Sequence, residues 1–462
     1  MVKNKKQLQQ KTKKTNVQKP ARKTFFVYYI FIFLIAFVAY ANTFKHGYVL
    51  DDFSVIKENF VVKQGTAGIS TILKTGYRYG YWNSPDNLYR PLPLIMYAIE
   101  WQLWPDNPTP GHVINVLLFG LLCVLLFKLL QKLFAGYSVL LPMMATLIFA
   151  LHPIHTEVVA NIKSRDEIMA FLFSIGSILL LLSYSEKKST LKLITALFIY
   201  LLALLSKESA ITFLAIIPFL FYFFYDKKKK SAAFLTVFYL IPVLIFFAMR
   251  YRAIGNQAHL DETSMVDNLL VAAPDFFTRT ATAIKIMGLY LWKLMVPYPL
   301  ACDYSYNQIK IVNFGDFYVL ISLFVYICLA VIAFLGFKKK SVLSFSVLFY
   351  FISMSIYSNL IITIGSSFGE RFLFVPSFAF ALALAYLITK LFGMLQKEIN
   401  LNQLFTSKVF LTLLPLFIIY IGITMSRNKD WKSSLSLYEA DINKSPESAH
   451  MNYYYGLEIM KG

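Results

Sequence analysis

Two adjacent carboxylates, Asp51 and Asp52, are the first residues of this sequence that could do chemistry. They follow the segment 46–50, just past the first long apolar stretch. A carboxylate can act as a general base or bind a divalent cation. Because adjacent like charges repel, we expect the pKa of one carboxyl group to rise unless a cation or metal lies between them. The alternative is that the pair is a solvated loop end with no role in chemistry.

Four further clusters of polar residues carry cations, histidines or carboxylates. They are Tyr89-Arg90-Pro91-Leu92, His152-Pro153-Ile154-His155-Thr156-Glu157 with Arg165 and Glu167, Ser206-Lys207-Glu208, and Gly369-Glu370-Arg371-Phe372. Arginine binds phosphate oxygens in a bidentate manner, and lysine binds them as a point charge. We therefore expect Arg90, Arg165, Lys207 and Arg371 to form a basic site for a phosphate group. For Lys207 and Glu208 the alternative is a local ion pair that caps the next helix.

The two histidines His152 and His155 have a spacing that is compatible with a metal. Together with the nearby Glu157 they could bind zinc. A proline breaks the helix between them, and the sequence offers no third or fourth ligand close by, so structural or substrate hydrogen bonds are favoured over zinc. No cofactor is assigned with certainty. A divalent metal stays open, with Asp51 and Asp52 as the residues that would bind it.

The composition excludes both a soluble domain and a disordered chain. The 462 residues are 57% hydrophobic and only 15% charged, whereas an ordinary soluble domain is about 25% charged. A disordered chain needs low hydrophobicity. The three cysteines are scattered, which argues against a disulfide framework or a zinc site. The sequence therefore predicts an all-α polytopic membrane protein.

Eleven apolar stretches approach the length that a bilayer requires, which is about 17–25 residues per helix. They are 25–42, 112–133, 138–151, 168–184, 191–206, 210–225, 232–250, 316–336, 342–361, 372–392 and 408–426. The third, fifth and sixth are short. The triplet 39–41 is similar to a signal-peptide cleavage site, but the apolar run before it exceeds the usual length of about 7–15 residues, so an uncleaved anchor is favoured.

Lysine and arginine set the orientation, because short cytoplasmic loops are rich in both. Residues 1–23 contain nine basic residues and no acidic one, so we predict that 1–24 is a cytoplasmic arm. Alternate loops carry the lysine clusters, which are Lys187 to Lys192, Lys227 to Lys230, Lys338 to Lys340 and Lys390 to Lys408. The net charge of +20 thus reflects orientation and contact with anionic lipid, and nucleic acid is not an expected partner. The loops 43–111 and 251–315, with the polar clusters above, then face outward.

Two further apolar segments, 88–104 and 274–297, are predicted to lie on the outer interface. The lysine clusters on either side of 274–297 are both cytoplasmic, and the spans 232–250 and 316–336 already supply the two crossings between them. The segment 274–297 therefore cannot cross as well. Its arginine and lysines suit an amphipathic helix at the membrane surface.

The outer cations, the carboxylate pair and the apolar helices together favour an enzyme that uses a lipid-phosphate substrate. Its lipid tail would lie among the helices, and its phosphate would meet the cations at the outer interface. A lipid or sugar transporter or flippase is one alternative, although the sequence shows no internal repeat and no charge in the middle of a span. A non-catalytic scaffold is another.

The sequence resembles the transmembrane and tetratricopeptide-repeat O-mannosyltransferases and their bacterial relatives. They belong to the glycosyltransferase C superfamily (GT-C), which also holds the dolichyl-phosphate-mannose protein mannosyltransferases. The resemblance covers nearly the whole chain from about residue 25 and rests on Gly47-Tyr48-Val49-Leu50-Asp51-Asp52, Tyr89-Arg90-Pro91-Leu92, the histidine cluster with Arg165 and Glu167, Ser206-Lys207-Glu208, the segment 297–304, and Glu370-Arg371-Phe372-Leu373.

The resemblance implies a GT-C domain over 25–426, with about 11 transmembrane helices. It implies an inverting transfer of mannose or a similar hexose from a polyprenyl-phosphate donor to a hydroxyl acceptor, expected to be Ser or Thr of an exported protein. Asp51 would be the base, and Asp52 would orient it or help bind a metal. The implied substrate-binding residues are Tyr89, Arg90, His152, His155, Glu157, Arg165, Glu167, Lys207, Glu208, Glu370 and Arg371. A glycolipid or envelope-polysaccharide acceptor is the alternative within the superfamily.

The tail 427–462 has a second signature. Ser434, Tyr438, Pro446 and Gly456 are spaced as the small, aromatic, proline and glycine positions of a tetratricopeptide repeat. Because such repeats need at least about three copies, the region is expected to be the start of a longer array or a vestigial repeat. The composition favours a bacterial inner membrane with a periplasmic site, and the endoplasmic reticulum with a lumenal site is the alternative.

Overall fold

The computed structural model describes residues 22–83, 87–225, 235–255 and 263–461. Within these ranges the secondary structure is helical, and no strand occurs. The predicted cytoplasmic arm, apart from its last residues, and the cluster Lys227 to Lys230 lie outside the described residues.

The helices of eight or more residues are numbered here in chain order. The first eight are α1 (Arg22–Tyr40), α2 (Pro91–Leu103), α3 (Thr109–Leu133), α4 (Leu140–Leu151), α5 (Arg165–Lys187), α6 (Thr190–Ser206), α7 (Phe213–Phe224) and α8 (Leu240–Ile254). The remaining ones are α9 (Phe276–Met295), α10 (Phe317–Phe337), α11 (Val342–Met354), α12 (Ser377–Leu391), α13 (Lys408–Asp430), α14 (Ser434–Asp441) and α15 (Ala449–Lys461).

Each of the eleven predicted spans coincides with an apolar helix. In the described ranges, six helices are long and apolar enough to cross a membrane: Phe26–Thr43, Thr109–Leu133, Arg165–Lys187, Leu235–Ile254, Phe317–Phe337 and Lys408–Asp430. A seventh crossing is possible where α4 and Pro153–Ala160 meet at an angle of 51°, because the proline interrupts the helix there. Four shorter apolar helices match the remaining predicted spans. The chain is therefore an all-helical polytopic membrane protein, and eleven crossings remain a prediction.

The boundaries of these helices follow from local sequence. Asp316 accepts hydrogen bonds from the amides of Tyr318 and Val319 at the start of α10, as an N-cap residue does. Lys188 adopts a left-handed conformation (φ 51°) directly after α5. This reverses the chain within a few residues, so that α6 packs back along α5.

The predicted interfacial segments 88–104 and 274–297 form the helices α2 and α9. Arg90, which directly precedes α2, contacts Asp166 (2.7 Å), and Glu100, near its other end, contacts Arg165 (3.0 Å). Both partners belong to the first turn of α5. Since both ends of α2 contact the same turn of α5, α2 lies across the end of α5 rather than alongside it. The interfacial position of α2 and α9 stays a prediction.

Buried charged side chains gather at one end of the bundle. There α1 and α6 end, and α5 and α12 begin. The buried ionisable residues at this end include Asp52, Arg90, Glu157, Lys163, Arg165, Asp166, Glu167, Lys207 and Glu370. It is the end that the lysine distribution predicts to face outward.

The tail packs on the first outer loop as a pair of helices, α14 and α15. Trp431, which directly follows α13, is fully buried in a small apolar cluster that includes Val49. The amide of Gly47 donates to the carbonyl oxygen of Lys432 (2.9 Å). The tail is therefore packed against the loop that carries Asp51 and Asp52.

A buried carboxylate, Asp441, connects the tail to the rest of the molecule. It is fully buried and accepts hydrogen bonds from both terminal nitrogens of Arg427 (2.6 Å each) and from the amide of Cys302 (2.8 Å). Lys444 adds a third cationic contact at 2.8 Å.

We predict that Asp441→Asn loosens the tail, because it removes the buried one of the two carboxylate partners of Arg427 and leaves only the partly exposed Asp430. Removing one partner of a buried pair costs at most about 3–5 kcal/mol, and the remaining contact with Asp430 reduces this cost. Limited proteolysis and thermal unfolding of the purified protein in detergent would measure the effect. The exposed neighbour Glu439 supplies the control variant Glu439→Gln, which should behave as wild type; equal resistance of Asp441→Asn would contradict the structural role.

Candidate active site

Asp51 is a half-exposed carboxylate at the outer end of the bundle. Its side chain is 43% exposed. Oδ1 lies 3.3 Å from a terminal nitrogen of Arg78, and Oδ2 lies 3.6 Å from Nζ of Lys163. Burial raises the pKa of Asp51, but the charges of Arg78, Lys163 and Arg371 together lower it below its ordinary value. Asp51 is therefore ionised and surrounded by cations.

Asp52 has a different environment, since it is fully buried. Its Oδ2 accepts a hydrogen bond from the amide of Val49 (3.0 Å), and Oδ1 accepts one from the amide of Lys163 (2.7 Å). Burial raises the pKa of Asp52 to about 7, partly offset by these two amides. Asp52 thus connects the first outer loop to the segment that precedes α5.

The surroundings of the two aspartates do not suit a metal ion. Both oxygens of Asp52 accept backbone hydrogen bonds, and both oxygens of Asp51 lie near cations. In the described ranges, no group of three or more His, Cys, Asp and Glu residues is placed to hold a metal. The donor set therefore does not fit the metal that the sequence left open.

The cations that were predicted to form a phosphate site lie at this end, but each contacts a carboxylate. Arg90 forms a bidentate pair with Glu208 (Nε to Oε2, 2.8 Å) and also contacts Asp166. Lys207 pairs with Glu167, and both are buried. The alternative of a local ion pair between Lys207 and Glu208 is therefore wrong, because each of the two residues pairs with a residue of another segment.

Arg165 and Arg371 are also paired. Arg165 is fully buried and binds Glu100 and the side-chain oxygen of Asn115 (2.7 Å). Arg371 binds Glu157 through its guanidinium (2.6 Å) and through its amide (3.0 Å). The side chain of Arg371 keeps 28% of its surface exposed, and its charge acts on Asp51. Among the four expected phosphate ligands, Arg371 is partly exposed and its charge contributes to lowering the pKa of Asp51.

The histidines form hydrogen bonds inside the protein. His152 donates from Nε2 to the carbonyl oxygen of Leu294 (3.0 Å) and accepts at Nδ1 from the amide of Ile154 (3.2 Å). His155 lies 2.8 Å from the hydroxyl of Ser377, at the start of α12. Both imidazoles are buried. They join the end of α4 to α9 and α12, which agrees with the structural interpretation of this motif.

The last two predicted residues, Tyr89 and Glu370, are also bound within the protein. The hydroxyl of Tyr89 donates to the carbonyl oxygen of Leu73 (3.0 Å). Oε1 of Glu370 accepts from the amide of Ala301 (2.9 Å) and from the hydroxyl of Tyr304 (2.6 Å). These contacts fix the outer loops and do not bring either residue to Asp51.

Sequence reasoning missed the two nearest partners of Asp51. Lys163 lies two residues before Arg165, beside the cluster that begins at His152, but it was not among the residues expected to bind phosphate. Arg78 lies between two tyrosines and two glycines, in a loop stretch that matches none of the motifs. Sequence reasoning also did not place the tail near Asp51. Burial is the larger cause of the raised pKa of Tyr454, and the charge of Asp51 raises it further.

The fold and the site define a polytopic membrane protein with a cation-surrounded carboxylate at one end of its helices. The family model described as "Protein O-mannosyl-transferase TMTC, DUF1736" matches residues 258–330. The chain is 24% identical to "Protein O-mannosyl-transferase F38B6.6" of Caenorhabditis elegans and 25% identical to "Protein O-mannosyl-transferase TMTC3" of Mus musculus. These alignments cover 91% of this chain, and 58% and 48% of the two relatives.

A further relative, "Protein O-mannosyl-transferase TMTC4" of Mus musculus, is 24% identical over 92% of this chain and 63% of its own length. The chain thus spans about half the length of the curated relatives it matches. These comparisons confirm the resemblance to the TMTC O-mannosyltransferases that the motifs predicted.

We predict that Asp52→Asn lowers the thermal stability and weakens its pH dependence. An asparagine can accept only one of the two amide hydrogen bonds, and an unsatisfied buried amide costs about 1–3 kcal/mol. Because folding raises the pKa of Asp52 from 3.8 to about 7, the folded protein binds an extra proton between these values. The free energy of unfolding therefore falls as pH rises through this window.

The measurement is the melting temperature in detergent between about pH 4.5 and pH 8 for wild type and variant. The matched control is Asp106→Asn, since Asp106 is 56% exposed in a surface pair of the same loop. A wild-type pH profile for Asp52→Asn would show that Asp52 does not titrate in this window.

Proposed function

We propose that this chain is a GT-C type glycosyltransferase that moves mannose, or a similar hexose, from a polyprenyl-phosphate donor to a hydroxyl group. The acceptor is Ser or Thr of an exported protein. The observation that carries the proposal is the placement of Asp51, a half-exposed carboxylate at the end of an apolar helical bundle, with cations around it. The relatives are protein O-mannosyl-transferases by name, which supports the class of reaction.

The chemistry needs a base and a stabilised leaving group, and both fit this end of the molecule. The acceptor oxygen attacks C1 of the sugar while its proton passes to the carboxylate of Asp51. The bond between C1 and the phosphate oxygen breaks, and its electron pair stays on the phosphate. The configuration at C1 is inverted. Fixed cations near the phosphate lower the barrier, because they stabilise charge that develops on the leaving group.

The buried ion pairs keep the ends of the helices in place around this reaction. Arg90 joins α2 to α5 and to the segment before α7, through Asp166 and Glu208. Arg165 joins α5 to α2 through Glu100. We propose that these residues shape the donor site, and that Asp51 acts on the acceptor.

The proposed reaction predicts that Asp51→Asn abolishes transfer without unfolding the protein. A positioned general base contributes about 10²–10⁴-fold to rate. The assay uses membranes with the full chain, labelled polyprenyl-phosphate mannose and a Ser/Thr-rich acceptor peptide, with Asp106→Asn as the matched control. Full transfer by Asp51→Asn would remove Asp51 from the base role. If the wild type releases no sugar from this donor to peptide or glycolipid, the class of enzyme is wrong; transfer to glycolipid alone would change the acceptor.

The proposed topology has eleven crossings, with the N-terminal arm in the cytoplasm and the site outside. In a bacterial inner membrane the site is periplasmic, and in the endoplasmic reticulum it is lumenal. The support is the lysine distribution together with the buried charges, which gather at the opposite end of α5 from Lys187 and Lys188.

This topology predicts opposite labelling of two single-cysteine variants, Lys188→Cys and Lys310→Cys, made after the three native cysteines are replaced by serine. Lys188 follows α5, and Lys310 is exposed in the loop before α10. A membrane-impermeant maleimide added from the outer side should label Lys310→Cys at once, and Lys188→Cys only after permeabilisation. Equal labelling of both from one side would contradict the alternation of loops.

A further inference from the structure

The contacts of Asp51 are longer than those of the arginine–carboxylate pairs at this end of the bundle. Charge-assisted hydrogen bonds usually measure about 2.7–2.9 Å, and the Arg90–Asp166 and Arg371–Glu157 pairs are within or below this range. The contacts of Asp51 are longer, at 3.3 Å to Arg78 and 3.6 Å to Lys163. Arg78 donates a long hydrogen bond to Asp51, and Lys163 stabilises its charge from a greater distance.

The same cations create a difficulty for a base. A carboxylate that is stabilised by several positive charges accepts a proton poorly. Burial raises the pKa of Asp51, but Arg78, Lys163 and Arg371, in that order, lower it. Asp52 is the adjacent acid, and the tail tyrosine Tyr454 is affected by the charge of Asp51. Asp51 becomes a better proton acceptor if some of the positive charge around it is moved away or neutralised.

An anionic phosphate group that enters this end of the bundle would neutralise part of this positive charge, because it competes with Asp51 for the same cations. Lys163 is placed for such an exchange. Its amide is bound to Asp52 at 2.7 Å, so its backbone stays in place, while Nζ lies 3.6 Å from Asp51 and 3.8 Å from Asp166. Arg78 keeps 21% of its side chain exposed, so its guanidinium is accessible from the same side.

We propose that Arg78 and Lys163 form the subsite for the phosphate of the lipid donor, and that binding of this phosphate draws them away from Asp51 and so releases Asp51 to act as the base. This inference rests on the proposed function and deepens it. The donor then activates the base, and an acceptor hydroxyl meets an active Asp51 only when a sugar is present to receive it. Arg371 remains with Glu157 and is the fixed positive charge beside the exchange.

The distinctive consequence concerns binding rather than rate. If Asp51 and the phosphate compete for the same cations, Asp51→Asn should bind a lipid phosphate more tightly than wild type. The probe is farnesyl phosphate, titrated into the full-length protein in uncharged detergent, with farnesol as the uncharged control and inorganic phosphate as the lipid-free control. We expect a dissociation constant about tenfold lower for Asp51→Asn, and about tenfold or more higher for Lys163→Gln and for Arg78→Gln.

The double variant Asp51→Asn/Lys163→Gln separates this proposal from a general change in charge. Its gain in affinity over Lys163→Gln should be clearly smaller than the gain of Asp51→Asn over wild type, because the two residues act on the same ligand. The control Lys57→Gln, in the surface pair with Asp106, should bind as wild type. Should Lys163→Gln fail to fold, the cycle of Arg78→Gln with Asp51→Asn gives the same test.

An unchanged or weaker affinity of Asp51→Asn, or unchanged affinities of both cation variants, would overturn the proposal. Equal binding of farnesol and farnesyl phosphate would do so as well, because the phosphate would then make no contribution. Tight binding of inorganic phosphate with the same pattern of variants would place the subsite correctly but show that it needs no lipid. The expected binding pattern in a protein that transfers no mannose would retain the phosphate subsite and contradict only the proposed reaction.

Discussion

The hydrogen bonds of Asp52 are the interaction on which the arrangement of the site depends. This buried carboxylate binds the amide of Val49 in its own loop and the amide of Lys163, which lies 111 residues further along the chain. The second bond brings the ammonium group of Lys163 to Asp51. A buried carboxylate with unmet hydrogen bonds would be costly, so the loop and the segment before α5 are held in one relative position. Because the side chain of Asp52 is held in the interior, the side chain of Asp51 stays at the surface of the loop.

Buried ion pairs extend this principle across the outer end of the bundle. A charge that leaves water requires a partner and further hydrogen bonds, and removing one partner is more costly than never having buried the pair. Arg165 meets this requirement with Glu100, Asn115 and the carbonyl oxygen of Gly111. The net contribution of such pairs to the free energy of unfolding is small, because the cost of removing both charges from water offsets much of their attraction. They do, however, allow few alternative arrangements of the helix ends. Geometry, rather than total stability, is what a transfer reaction needs from them.

Much of the fold could be predicted from the sequence, because a bilayer imposes a length and a composition on each helix. Each of the eleven apolar runs coincides with a helix, and the segments 88–104 and 274–297 are helical as expected. The contacts of α2 place it across the end of α5, and its interfacial position, like that of α9, stays a prediction. The number of crossings stays a prediction, since four of the helices are short.

The partners of the charged residues could not be predicted in the same way. Arg90 and Glu208 are 118 residues apart, and Arg371 and Glu157 are 214 apart. A polar motif at the end of a span indicates that a charge faces outward, but the motifs together contain several cations and several carboxylates, so many pairings are compatible with one sequence. This is why four cations were expected to form one phosphate site, whereas in the structure each contacts a carboxylate.

The tail explains why the loop that carries Asp51 has a second support. Trp431 and Val49 share one apolar cluster, and the amide of Gly47 donates to the carbonyl oxygen of Lys432. The first outer loop is thus bound on one side to the segment before α5, through Asp52, and on the other side to the tail. Since a loop fixed at both sides cannot move without breaking one of these contacts, any force on α14 and α15 is transmitted to the position of Asp51. Mobility at this site therefore has to come from side chains, such as those of Arg78 and Lys163, whose contacts to Asp51 are long.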